Sequence, residues 1–137
     1  MPLRCFIETQ APVPGSGAQP VHYPACEWVG DDGTVDHLHP LNRFVCSWLT
    51  SDVNTVERCK EVLYAISQIE TGQCVQWFAD GDAFYVDFSV DSVQFNQSNV
   101  ELEDTAWWNL PEAKFRLDFV QGLLESWLIF MSSIQID

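Results

Sequence analysis

Around Asp80-Gly81 the chain alternates large apolar and polar side chains on both arms of a possible turn, with Val75, Trp77 and Ala79 before it and Phe84 and Val86 after it. A period of two sends successive side chains to opposite faces, so this pattern commits the segment to a half-buried antiparallel hairpin. With Asp80-Gly81 as a two-residue turn, Ala79 stands opposite Asp82, Trp77 opposite Phe84 and Val75 opposite Val86. Gln76, Tyr85, Asp87 and Ser89 then project from the other face. Alternation slips at Asp91-Ser92, which predicts a turn or bulge, and residues 93–95 resume an extended path. Val100 and Leu102, alternating with Glu101 and Glu103, predict a short further strand.

The remaining elements follow from apolar spacing and turn chemistry. Residues 3–8 read as a first strand, and Pro12, Pro14, Gly15, Gly17 and Pro20 enforce a loop after it. Residues 21–29 form a second extended segment that Pro24 confines to an edge or bulge, and Gly30-Asp31-Asp32-Gly33 is a turn. The apolar run 42–49 reads as a buried strand. Val53, Val56, Cys59, Leu63, Ile66 and Ile69 recur at helical steps, with Ser51 or Asp52 as N-cap and Gly72 as the stop. Pro111 and Glu112 mark the start of a second helix whose broad apolar face runs through Phe119, Val120, Leu123, Leu124, Trp127, Leu128 and Met131. The expectation is an α+β fold: one domain over residues 1–137, with a mostly antiparallel sheet and two helices packed on one face.

Charge narrows the partners. The formal net charge is −14, and no Lys or Arg falls between Lys60 and Lys114, while ten acids do. Such a chain is unsuited to nucleic-acid backbones and anionic membranes, both of which require clustered bases. An acidic surface serves solubility, and it also attracts a cationic partner. Five cysteines, odd in number and without a CxxC pair, predict free thiols rather than a disulfide framework. No apolar leader or membrane-length run is apparent in the sequence, so the expectation is a cytoplasmic protein.

No catalytic signature emerges. Asp36-His37-Leu38-His39 would aim two imidazoles to one side of a strand, but two histidines make no metal signature. Asp80, Asp82 and Asp87 imitate the start of a calcium loop, yet the sixth and twelfth positions hold Tyr85 and Asp91 instead of Gly and Glu. Phosphate-cradling, nucleophile-elbow and zinc-protease motifs are missing from the sequence. The expectation is a binding protein without enzymatic activity, cofactor or metal.

Trp107-Trp108-Asn109-Leu110-Pro111-Glu112-Ala113-Lys114-Phe115, followed by Leu123, Leu124, Trp127 and Phe130, resembles the closing helix of small bacterial immunity proteins. These proteins accompany polymorphic and contact-dependent growth-inhibition toxins. The resemblance covers the C-terminal half and implies stoichiometric neutralisation of a cognate toxin domain, of which a basic nuclease-type effector is the kind that suits an acidic inhibitor. The charge and hairpin pattern supplies the candidate partner-binding residues: Asp80, Asp82, Tyr85, Asp87, Asp91, Glu101, Glu103, Asp104, Trp107 and Trp108. Three alternatives share parts of this pattern: a DNA mimic, a regulatory protein-binding module, and a small hydrolase in which a cysteine, a histidine and a carboxylate converge in a pocket.

Overall fold

The computed structural model describes residues 2–98 and 108–134, and the predicted strand at Val100 and Leu102 lies outside them. The architecture is α+β, as the sequence pattern predicts, but its strands divide into two sheets. β1 (Leu3–Gln10) and β2 (Val21–Trp28) pair antiparallel as a separate ribbon. β3 (Gln76–Asp80), β4 (Phe84–Ser89), β5 (Ser92–Gln97) and β6 (Lys114–Arg116) form an antiparallel sheet in that order. Pro24 sits opposite Ile7, where a two-stranded ribbon tolerates a residue without an N–H.

The run expected to be a third strand is helical. Leu41–Cys46 forms a π-helical turn that continues directly into α1 (Ser47–Asp52). Leu41, Asn42, Phe44, Val45, Cys46, Trp48 and Leu49 are all buried, and only Arg43, Ser47 and Thr50 form a narrow, partly exposed stripe at helical steps, so a short, mostly apolar run of this kind reads equally well as a buried strand. Asn42 explains how a polar side chain is accepted here. Its Oδ1 accepts from Trp28 N at 2.6 Å, and its Nδ2 donates to the carbonyls of Trp28 and Asp36, each at 2.9 Å.

The next helix, α2 (Val56–Glu70), begins later than Ser51 or Asp52 would place it. Thr55 is its N-cap, with a side-chain oxygen accepting from Arg58 N at 3.1 Å. Cys59, Val62, Ala65, Ile66 and Ile69 form the buried stripe. Gly72 ends the segment with φ +79°, a conformation costly for any residue bearing a Cβ.

Pro111 opens a single 3₁₀ turn, Pro111–Ala113, instead of the long helix. Residues 114–116 then pair with β5, which sets Phe115 at 5.7 Å from Phe95. Only after that does α3 (Leu117–Ser133) begin, its first N–H donating to Asp91 O at 3.2 Å. Leu117, Val120, Leu123, Leu124, Trp127 and Met131 are buried along α3, whereas Phe119 lies beside Trp28 of the ribbon at 5.9 Å between ring centroids.

The inner face of the sheet carries Ala79, Phe84, Val86, Phe88, Val93 and Phe95, all buried. Trp48 of α1 packs on Phe88 and Phe95 at 5.9 and 5.4 Å. Trp127 of α3 donates Nε1–H to Val53 O at 2.7 Å, tying the last helix to the link between α1 and α2. The ribbon joins this core through Leu3 and Cys26. No helix among the described residues is long and apolar enough to cross a membrane.

Candidate functional site: the outer face of the four-stranded sheet

The β3–β4 connection determines which side chains the sheet presents outward. Ala79 stands opposite Val86 and Trp77 opposite Phe88, so the partner strand is displaced by four residues from the register of a two-residue turn. Residues 81–83 form the connection, with Gly81 N donating to Phe84 O at 3.0 Å. Its cause is Asp52, whose carboxylate accepts from Ala83 N at 3.1 Å and Phe84 N at 2.9 Å. A Cβ on Gly81 would lie 2.5 Å from the Asp52 carboxylate, so the close approach requires glycine. Because the displacement is even, the residues within β3 and β4 keep their predicted faces, whereas Val75, expected inward opposite Val86, precedes β3 and is exposed.

Three rows of side chains cross the outer face. Asp80, Tyr85 and Asn96 form one, Phe78, Asp87, Gln94 and Lys114 the second, and Gln76, Ser89, Ser92 and Arg116 the third. Gln76 Nε2 donates to Asp87 Oδ1 at 2.9 Å, and the Ser89 and Ser92 hydroxyls meet at 2.9 Å.

Three aromatic rings dominate one end. Phe78 stacks on Tyr85 with centroids 5.2 Å apart and planes 17° from parallel, and Tyr85 stacks on Trp108 at 5.7 Å and 13°. Trp108 Nε1–H donates to Gln97 O at 2.8 Å, which anchors the indole while its ring remains accessible. Asn109, with φ +57°, holds the neighbouring backbone in place by donating its N–H to Asn96 Oδ1 at 2.8 Å. Phe78 is 43 % exposed and Trp108 38 % exposed, values high enough to leave a continuous aromatic ladder open to a partner.

The predicted residues separate into groups. Asp80, Tyr85, Asp87 and Trp108 come together on this face, and Asp82 stands at its rim in the connecting loop. Asp91 lies in the β4–β5 turn at the opposite end of β4, beside Arg116, Leu117 and Asp118. Glu101, Glu103, Asp104 and Trp107 lie outside the described residues. Folding also introduces bases that linear spacing did not place here: Lys114 and Arg116 project from β6, and Arg58 Nη2 donates to Asp80 O at 3.3 Å. Arg116 is paired with Asp118 at 2.7 Å. The face therefore carries its aromatics and Asp80 and Asp87 toward β3 and β4 and Lys114 on β6, while Arg58 reaches the β3 end and Arg116 is compensated by Asp118. Phe78 was absent from the sequence-derived set, although its place between Gln76 and Asp80 in an alternating strand carried the signal.

A second concavity, about 340 Å³, separates the ribbon from the π turn and α1. Glu8, Cys26, Glu27, His37 and Cys46 are among its lining residues, the combination that a thiol hydrolase would require. Its electrostatics run against that chemistry. Hydrogen bonding with Cys46 and then burial push the Cys26 thiol well above its ordinary range, whereas a nucleophilic cysteine needs the reverse. Glu27 is engaged by Arg4. Among the described residues, no group of three or more His, Cys, Asp or Glu side chains has the arrangement of a metal site.

Comparison with known proteins finds no matching family model, no matching curated protein and no matching solved structure.

Proposed function

We propose that the protein is an inhibitory binding protein, an immunity protein that neutralises a basic toxin domain through the outer face of its four-stranded sheet. The observation that carries this reading is the Phe78–Tyr85–Trp108 ladder bordered by Asp80 and Asp87 on a chain of net charge −14. An arginine of the partner can stack its guanidinium on these rings while a carboxylate accepts its N–H donors, a pairing that joins cation–π attraction to charge-assisted hydrogen bonding. Accessible aromatics provide the area that hot spots require. The net charge accelerates encounter with a cationic protein and disfavours anionic ones. The C-terminal sequence resemblance to immunity proteins points the same way.

A direct test identifies the reading frame immediately upstream of this gene, purifies its product and titrates it against the protein. A stoichiometric complex is expected, with association that slows as salt rises. Tyr85→Ala should weaken binding by about 30-fold, as loss of a hot spot of ~2 kcal/mol would, while Asp80→Asn with Asp87→Asn should chiefly reduce the association rate. Absence of a complex refutes the toxin assignment. A complex indifferent to all three substitutions refutes this surface.

A further inference from the structure

Cys5 and Cys26 are direct partners in the β1–β2 register, so their side chains leave the same face of the ribbon. Directly opposed Cα atoms in an antiparallel pair lie about 4.5 or about 5.5 Å apart, according to their place in the hydrogen-bond pattern, and either spacing falls in the disulfide range of ~4.4–6.8 Å. Cys5 is partly exposed, whereas Cys26 is buried. Cys46 is also close, since its carbonyl accepts from Cys26 Sγ at 3.9 Å and its thiol hydrogen-bonds with that of Cys26. The paired strands distinguish the two neighbours: Cys5 and Cys26 lie within eight successive residue pairs, whose opposed backbones keep a spacing a disulfide can bridge.

We propose that Cys5 and Cys26 are an oxidisable pair, joined by a cross-strand disulfide when the protein meets a peroxide or a low-molecular-weight disulfide. With a peroxide, the Cys5 sulfur attacks one peroxide oxygen, forming an S–O bond as the O–O bond breaks, and the other oxygen leaves as water. The Cys26 sulfur, held protonated by its hydrogen bond with Cys46 and its burial and so a slow nucleophile at neutral pH, then displaces the sulfenic oxygen, which leaves as a second water, and the S–S bond forms. Two thiol protons end in water, and two electrons pass from the sulfurs to the peroxide. Cβ atoms of directly opposed residues sit slightly farther apart than a relaxed disulfide prefers, so the bond draws the strands together and remains open to reduction. Burial, with a smaller contribution from Cys46, raises the Cys5 thiol to about 11, which makes the first step slow at neutral pH and faster in alkali.

The test treats the full chain with hydrogen peroxide or oxidised glutathione, blocks remaining thiols, and digests it unreduced with a Glu-specific protease. Cleavage after Glu8 and Glu27 separates Cys5, Cys26 and Cys46 onto three peptides. The expected product is the Cys5 peptide linked to the Cys26 peptide, lighter by two hydrogens than their sum. The link should disappear in Cys5→Ser and persist in Cys46→Ser. A Cys26–Cys46 link in the wild-type protein, glutathione adducts without a cross-link, or thiols that stay free throughout would each overturn the proposal.

Discussion

Replacing Asp52 by alanine removes a carboxylate that accepts two backbone N–H groups across the fold, from Ala83 and Phe84. Hydrogen bonds to a charged acceptor contribute about 1.5–3 kcal/mol each. Asp52 is only half-buried and the freed N–H groups gain some access to water, so each bond counts for somewhat less than that range, for a total of about 2–3 kcal/mol. For a chain of this length the unfolding entropy converts this loss into a fall of about 7–10 °C in Tm. Gly81→Ala attacks the same contact from the other side, since its new Cβ meets Asp52 Cγ at 2.5 Å. It should cost about 1–3 kcal/mol alone, as overpacking does. In the D52A background the nearest Asp52 atom left is Cβ, at 3.0 Å, so the second substitution should cost much less. Urea unfolding of the wild type, both single variants and the double variant measures this coupling. Strict additivity of the two losses, or a D52A variant within about 0.5 kcal/mol of wild type, would refute the claim that Asp52 holds the turn.

Two further outcomes follow from buried groups. Asn42→Ala should destabilise by about 3 kcal/mol in chemical denaturation, because it strands the Trp28 N–H and removes two further bonds at a buried position. Burial raises the Cys59 thiol from 9.0 to about 11, and burial followed by Cys46 does the same for Cys5. The folded chain thus holds these protons to higher pH than the unfolded chain does, so their stabilising contribution is complete below pH 9 and is lost as pH rises towards 11. Urea midpoints across that interval should fall in the wild type and fall less in Cys5→Ser; a midpoint that rises with pH contradicts the assigned direction.

The sequence carried the α+β class and the faces of β3 and β4 because a period of two survives any even displacement of register. It did not carry the register itself, since the β3–β4 turn is fixed by Asp52, a residue remote in the chain and locally indistinguishable from a helix cap. The run 42–49 read as a strand because its partly exposed stripe is only Arg43 and Ser47, too narrow to show a helical period in so short an apolar segment. Pro111 was a sound signal for a helical turn, but strand pairing of Lys114–Arg116 postponed the long helix to Leu117. For the candidate site, alternation placed Tyr85 and Asp87 outward. The stacking of Phe78, Tyr85 and Trp108 depends on pairing across strands and on the Trp108–Gln97 hydrogen bond, neither of which a linear reading contains.

The placement of Lys114 on β6, across the sheet from Asp80, gives the surface a head and a tail. A uniformly acidic plate would hold a positively charged visitor in many rotations of similar energy. Here Asp80 and Asp87 lie toward one side and the Lys114 ammonium toward the other, so a cationic protein docking on this face would be favoured in one orientation over its reverse.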